Sequence, residues 1–83
     1  MSERELLERI TYNPKIFGGR AIVRGRRLAV SQVLGMLADG ATPEVLITTY
    51  IWLEPDDITA CLLFAERAVS KPVIVVDREA AAR

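Results

Sequence analysis

Apolar positions along this chain follow two different periods, and the change between them divides it into parts. From Val30 onward, Val30, Val33, Leu34, Leu37 and Ala38 recur at the spacing that lines one face of a helix. Ser31 stands where a cap would open that helix, and Gly40 where a left-handed residue would close it. Thr42-Pro43-Glu44 predicts a second helix: a hydroxyl cap, a proline whose missing N–H costs nothing there, and an acid at the positive helix end. Val45, Leu46 and Tyr50 then face the core. A third helix opens at Glu54-Pro55-Asp56-Asp57. It carries Ile58, Cys61, Leu62, Ala65 and Val69 on one face and Ala60, Leu63, Phe64 and Ala68 on another. A helix apolar on two sides is buried on two sides. A chain of 83 residues has little left with which to cover both, so a subunit or partner interface is expected here.

Ahead of these helices the pattern is more broken. Ser2 and Glu5 have capping-box spacing, and Leu6, Leu7 and Ile10 follow at helical spacing, predicting one or two turns. Asn13-Pro14 stops that helix, and Gly18-Gly19 is a second break. Ala21-Ile22-Val23 and Leu28-Ala29-Val30 flank Arg24-Gly25-Arg26-Arg27, which reads as a hairpin that must pack on something to be stable. Beyond the third helix, Lys71-Pro72 precedes Val73-Ile74-Val75-Val76, a β-branched run that predicts pairing with another extended segment, and the Ala80–Arg83 end is expected to fray. The fold class is therefore mainly α: a three-helix, helix-turn-helix-like bundle (helices about 31–39, 43–51 and 55–69) preceded by a small β-hairpin at about 20–30. Residues 1–69 are read as a single domain and 70–83 as a C-terminal extended tail or strand.

Composition narrows the class. Hydrophobic residues make up 51% and charged residues 27%, which excludes a disordered chain. The longest apolar run, Ala60–Ala65, is far short of the roughly 20 residues of a membrane span. The polar, mixed-charge start shows no secretory signal, so a cytoplasmic protein is expected, with no membrane partner. One cysteine excludes an internal disulfide framework, and the lack of histidine removes imidazole catalysis and the commonest metal ligand. No catalytic residue, metal site or cofactor is expected. Net charge is zero but uneven. Residues 1–30 hold seven bases and three acids, residues 31–60 hold five acids and no base, and residues 61–83 hold four bases and three acids. A basic front and an acidic middle predict two surfaces with different partners.

The candidate chemistry follows from that asymmetry. Arg20, Arg24, Arg26 and Arg27 are the candidate nucleic-acid-binding residues, since guanidinium groups on a loop fork onto phosphate oxygens. The alternative is a solvated loop, or a surface pairing with the acidic middle of another subunit. The helices themselves suit a polyanion badly: they offer Glu44, Thr48, Thr49, Asp56, Asp57 and Glu66, with one Arg67. Asp56-Asp57 reads as a pair of helix-dipole partners, and Gly18-Gly19-Arg20 lacks the spacing of a phosphate loop. Leu63, Phe64, Arg67, Val73, Ile74, Val75, Val76 and Arg78 are the candidate partner or dimer interface.

Taken together, Ile10-Thr11-Tyr12-Asn13-Pro14, Gly18-Gly19-Arg20, Ile22-Val23-Arg24-Gly25, Arg27-Leu28-Ala29-Val30, Leu37-Ala38-Asp39-Gly40, Thr42-Pro43-Glu44, Tyr50 and Leu53-Glu54-Pro55-Asp56-Asp57-Ile58 resemble the family catalogued as domain of unknown function 433. The resemblance covers about residues 9–65. It implies a small helix-turn-helix-like domain, often the antitoxin of a bacterial toxin–antitoxin pair whose toxin is a PIN-like ribonuclease. The expected function is thus an antitoxin-like module that neutralises its cognate toxin by direct contact, forms a homodimer and represses its own operon at operator DNA. The alternative is a stand-alone DNA-binding regulator. The chain departs from the family pattern at Arg26 and Leu28 of Gly25-Arg26-Arg27-Leu28, at Ala21 and Ile51 where proline is usual, and at Glu54 where a Ser/Thr cap is usual.

Overall fold

Pro55 and its acidic neighbours open the longest helix, and the other elements pack around it. A computed structural model describes residues 1–70. In chain order the elements are α1 (Glu3–Leu7), β1 (Ile10–Thr11), a 3-10 turn (Phe17–Gly19), β2 (Ile22–Val23), α2 (Val30–Ala38), α3 (Pro43–Thr49) and α4 (Pro55–Val69). The fold is mainly helical with one small antiparallel pair. Helix α4 packs against α1, α2, α3 and β1. Ile58, Ala60 and Cys61 of α4 meet Ile10, Val23, Leu28, Val30, Val33, Leu46 and Leu53 in one core.

Local signals set the helix ends. Ser2 accepts from the Glu5 N–H at 3.1 Å and the Glu5 carboxylate accepts from the Ser2 N–H at 2.8 Å, completing the capping box on α1. Thr42 caps α3 through the Val45 N–H. At the end of α2, the Gly40 N–H donates to Leu37 and the Ala41 N–H to Met36, a Schellman closure that requires the positive φ of +103° at Gly40. The start of α2 differs from expectation. Ala29, not Ser31, is the capping position, and the Gln32 side chain accepts from the Ala29 N–H at 2.8 Å. Ser31 is left exposed.

The sheet also differs in its partners. Ile22–Val23 pairs with Ile10–Thr11, which the apolar spacing places at the end of a helix, in the register Ile10 to Val23 and Thr11 to Ile22. The pairing expected between 21–23 and 28–30 is present as a single bridge, Ile22 to Ala29, with Val23 N–H to Leu28 and Val30 N–H to Ala21 backbone bonds. Segment 22–23 is therefore central. The turn between its second partner and itself closes through the Arg26 N–H to the Val23 carbonyl at 2.9 Å. Arg24 and Gly25 both have positive φ, +46° and +71°, as a type I′ turn requires.

Burial is less symmetric than the periodicity suggests. Leu46 is 1% exposed while Val45 is 52% exposed, so α3 buries a narrower stripe than Val45, Leu46 and Tyr50 together imply. On α4, Leu62 and Val69 share the spacing of buried Ile58 and Cys61 but are 50% and 80% exposed. The first two turns of α4 are buried in the core, whereas along the last two α1 lies alongside, with Glu3 paired to Arg67, and Leu62 and Val69 stay open. Burial, and then the nearby Asp57 charge, push the Cys61 thiol up to about 12. The Cys61 thiol should accordingly fail to react with a thiol-specific reagent at pH 8 in the folded chain and react fully in denaturant. Rapid reaction in the folded chain would contradict the burial.

Candidate functional site

Two surfaces have distinctive chemistry: an arginine–carboxylate cluster at the start of α4 and an apolar trough along its end. Asp57 anchors the first. It stands at the third position of α4 and falls on the same stripe as Ala60, Cys61 and Phe64, so its side chain points inward and is fully buried. Four donors surround the carboxylate. Arg9 Nη1 and Arg24 Nε donate to Oδ1, both at 2.9 Å. Arg24 Nη2 and the Glu54 N–H donate to Oδ2, both at 2.8 Å. Arg24 Nη2 also reaches the Trp52 carbonyl at 2.9 Å, and Arg9 Nη1 bridges to Glu54 at 2.7 Å.

The electrostatics of this cluster are decided by pairing rather than by burial alone. Burial works against the Asp57 charge, but the bonds from Arg24, the Glu54 N–H and Arg9 outweigh it and hold the carboxyl below its ordinary value. The bond to Glu54 and then the bond to Asp57 raise Arg9, and the bond to Asp57 raises Arg24. Arg24 also adopts a left-handed backbone that L-residues ordinarily avoid at a cost of roughly 1–2 kcal/mol. Its side-chain fork onto Asp57 offsets that cost. Trp52 lies beside the cluster, with the Arg24 and Arg26 guanidinium carbons 5.5 and 4.7 Å from its ring centre and Tyr50 edge-on at 6.4 Å.

The four candidate arginines therefore separate. Arg24, expected in a solvent-accessible loop with the others, is drawn inward to Asp57, and its side chain is only 30% exposed. Arg20, Arg26 and Arg27 are exposed, and Arg26 lies over Trp52. The basic loop is thus smaller by one charge than the sequence suggests.

The second surface begins where the core ends. Phe64 and Leu63 are half-buried, and Phe64 joins Tyr12 and Ala68 as the shared wall of two adjoining hollows of about 540 and 420 Å³. Arg67 lies on the rim, ion-paired with Glu3 and with Glu66. These exposed pairs contribute little to stability. Val73, Ile74, Val75, Val76 and Arg78 lie outside the described residues. Among the described residues no cluster of acids and cysteine has the arrangement of a metal site, and no helix is long and apolar enough to cross a membrane.

Sequence reasoning missed Arg9, Trp52 and Tyr12, and it assigned Asp57 to the helix dipole alone. One signal was present for Asp57: it continues the apolar stripe 57, 60, 61, 64, where a charge can stand only if partnered. Nothing in the local pattern singles out Arg9, whose partner is 48 residues away.

The family model described as protein of unknown function (DUF433) matches residues 10–65. That span includes Arg24, Trp52 and Asp57, and Arg9 stands one residue before it. No curated protein and no solved structure matches the chain.

Replacing Asp57 by Asn should destabilise the chain by about 3 kcal/mol in urea unfolding at pH 7, since it leaves two arginines facing a buried neutral group. The pH dependence has a fixed sign. A carboxyl held below its ordinary value of 3.8 stabilises fully above that value, and the contribution is lost as pH falls through the lower folded value. Wild-type stability should fall from about pH 4 downward. The Asp57→Asn variant should lack this component, and parallel acid profiles for the two proteins would contradict the assignment.

Proposed function

The chain belongs to the DUF433 family, and from that premise we propose that it is an antitoxin-like binding module. In this reading it neutralises a PIN-like ribonuclease by direct contact, acts as a cytoplasmic homodimer and represses its own operon at operator DNA. It performs no catalysis of its own. The observation that supports a binding role is the open apolar end of α4. Leu62 and Val69 are 50% and 80% exposed beside half-buried Leu63 and Phe64, in a chain small enough that such area is costly to leave in water. The surface leads directly into residues 70–83, which carry Val73-Ile74-Val75-Val76 and Arg78. An apolar segment of that kind adds to a partner's sheet edge, and an arginine delivered with it neutralises a carboxylate-lined nuclease site. Arg78 and Arg67 are the arginines we assign to that role. Arg67 would first have to leave Glu3 and Glu66.

Cells carrying the cognate nuclease should survive when they express the full chain and die when they express one lacking residues 70–83, with circular dichroism showing both chains equally helical. Full protection by the shortened chain would reject the proposed role of the tail.

A second reading, a stand-alone DNA-binding regulator, draws support from Arg20, Arg26 and Arg27. All three are exposed, and among the described residues none forms an ion pair. Changing these three to Ala while keeping Arg24, which holds the fold, should weaken DNA binding and flatten its salt dependence by up to about three phosphate contacts. Unchanged affinity in that variant removes this reading.

A further inference from the structure

The two hollows on the outer side of α4 meet at Tyr12, Phe64 and Ala68 and form one apolar trough. The larger is walled by Leu34, Ala65 and Val69 as well, so the trough runs to the very end of the helix. Strand β1 and the end of α1 lie along its other side, where Ile10 and Leu7 line the smaller hollow. The Arg24 N–H donates to the Arg9 carbonyl at 2.8 Å, and the Val23 N–H donates away from β1 to Leu28 at 3.0 Å. Ile10 and Val23 are therefore a pair without mutual hydrogen bonds. By the same alternation, the Ile10 N–H and carbonyl point away from β2, toward the outer edge of the sheet. An apolar trough beside an open strand edge is a seat for an extended apolar segment.

We propose that in the free protein this seat is filled by the chain's own Val73-Ile74-Val75-Val76, folded back from the end of α4. The occupant follows from where the helix ends. Val69 is itself a wall of the trough, and only Ser70, Lys71 and Pro72 separate it from Val73. Three extended residues reach about 10 Å, enough to turn back onto that wall. Pro72 cannot continue the helix and biases Lys71 toward an extended backbone. The four apolar residues span about 13 Å when extended. Lys71 on one side and Asp77-Arg78-Glu79 on the other limit the apolar match to those four. A tether this short gives an effective concentration in the millimolar range, which favours the chain's own segment over that of a second copy. This inference concerns the free protein and stands whether or not a nuclease is the partner. Any partner that takes the segment must lift it from the trough.

Amide hydrogen exchange on the full chain tests the proposal. The amides of Val73–Val76 should exchange at least ~10-fold more slowly than in a peptide of residues 71–83. Ala68→Arg, at an exposed position of the trough, should return them to peptide rates, and the protection should be independent of protein concentration. As a second measurement, Ile74→Asp should raise the binding of an apolar fluorescent dye without changing helix content. Peptide-like exchange in the wild-type chain, unchanged dye binding in Ile74→Asp, or protection that vanishes on dilution together with a dimer would each overturn it. The last result would place a second copy in the trough.

Discussion

One buried carboxylate joins three stretches of chain that no local rule brings together. Asp57 accepts from Arg9, 48 residues before it, from Arg24, 33 residues before it, and from the backbone at the start of its own helix. A small domain buries too little apolar surface to fix every segment by packing alone. Here β1 and β2 are two residues each and α1 is five, so the N-terminal third has little regular backbone structure to order it, although Ile10, Ile16, Ile22, Val23 and Leu28 are buried. The Arg24 fork and the Arg9 bond to Asp57 add to that packing and fix how the third sits against α4. They also hold Arg24 in a backbone conformation it would otherwise avoid. Every donor on the carboxylate is charged or a backbone N–H, and no buried side-chain polar atom among the described residues lacks a partner. A buried charge so fully satisfied serves to fix which segments meet, and removing any one partner exposes its cost.

The same cluster shapes what remains available at the surface. It removes Arg24 from the basic loop and leaves Arg20, Arg26 and Arg27 outside, with Arg26 steadied over Trp52. It also anchors only the first turns of α4. Past Cys61 the helix keeps α1 beside it, with Glu3 paired to Arg67, but its apolar residues pass from buried to open within two turns. The polar end of α4 is thus the structural end and the apolar end the one available for contact. That division places the proposed partner surface and the proposed seat of residues 73–76 at the opposite end of the helix from Asp57.

Much of this architecture was legible in the sequence because it depends on short-range chemistry. Ser2 with Glu5, Thr42 with Pro43, Gly40, and Pro55 with its acids mark helix ends through contacts three or four residues long, and the helices lie there. The resemblance to the family rested on motifs spread through the span that the family model matches. Illegible features were those set by distant partners. Ile10–Thr11 reads as helical by spacing, yet it pairs with Ile22–Val23 because the ladder and the Arg9 bond to Asp57 outweigh a weak local preference. Arg24 reads as an exposed loop residue, since a type I′ turn normally points its side chains outward to solvent. Only the position of Asp57 turns it inward. Leu62 and Val69 read as part of an apolar face with Ile58 and Cys61, and periodicity is silent on which of its residues a neighbour within the chain reaches.

The central claim, that the fold depends on the pairing of Asp57 with the arginines rather than on either charge alone, is tested most directly by a double-mutant cycle. Urea unfolding of the wild type, Asp57→Asn, Arg24→Met and the combined variant gives the coupling between the two side chains. The account predicts a coupling of at least about 2 kcal/mol, with the combined variant little less stable than Asp57→Asn alone. Losses that add to within about 0.5 kcal/mol would contradict it, because they would show the two residues stabilising the chain independently.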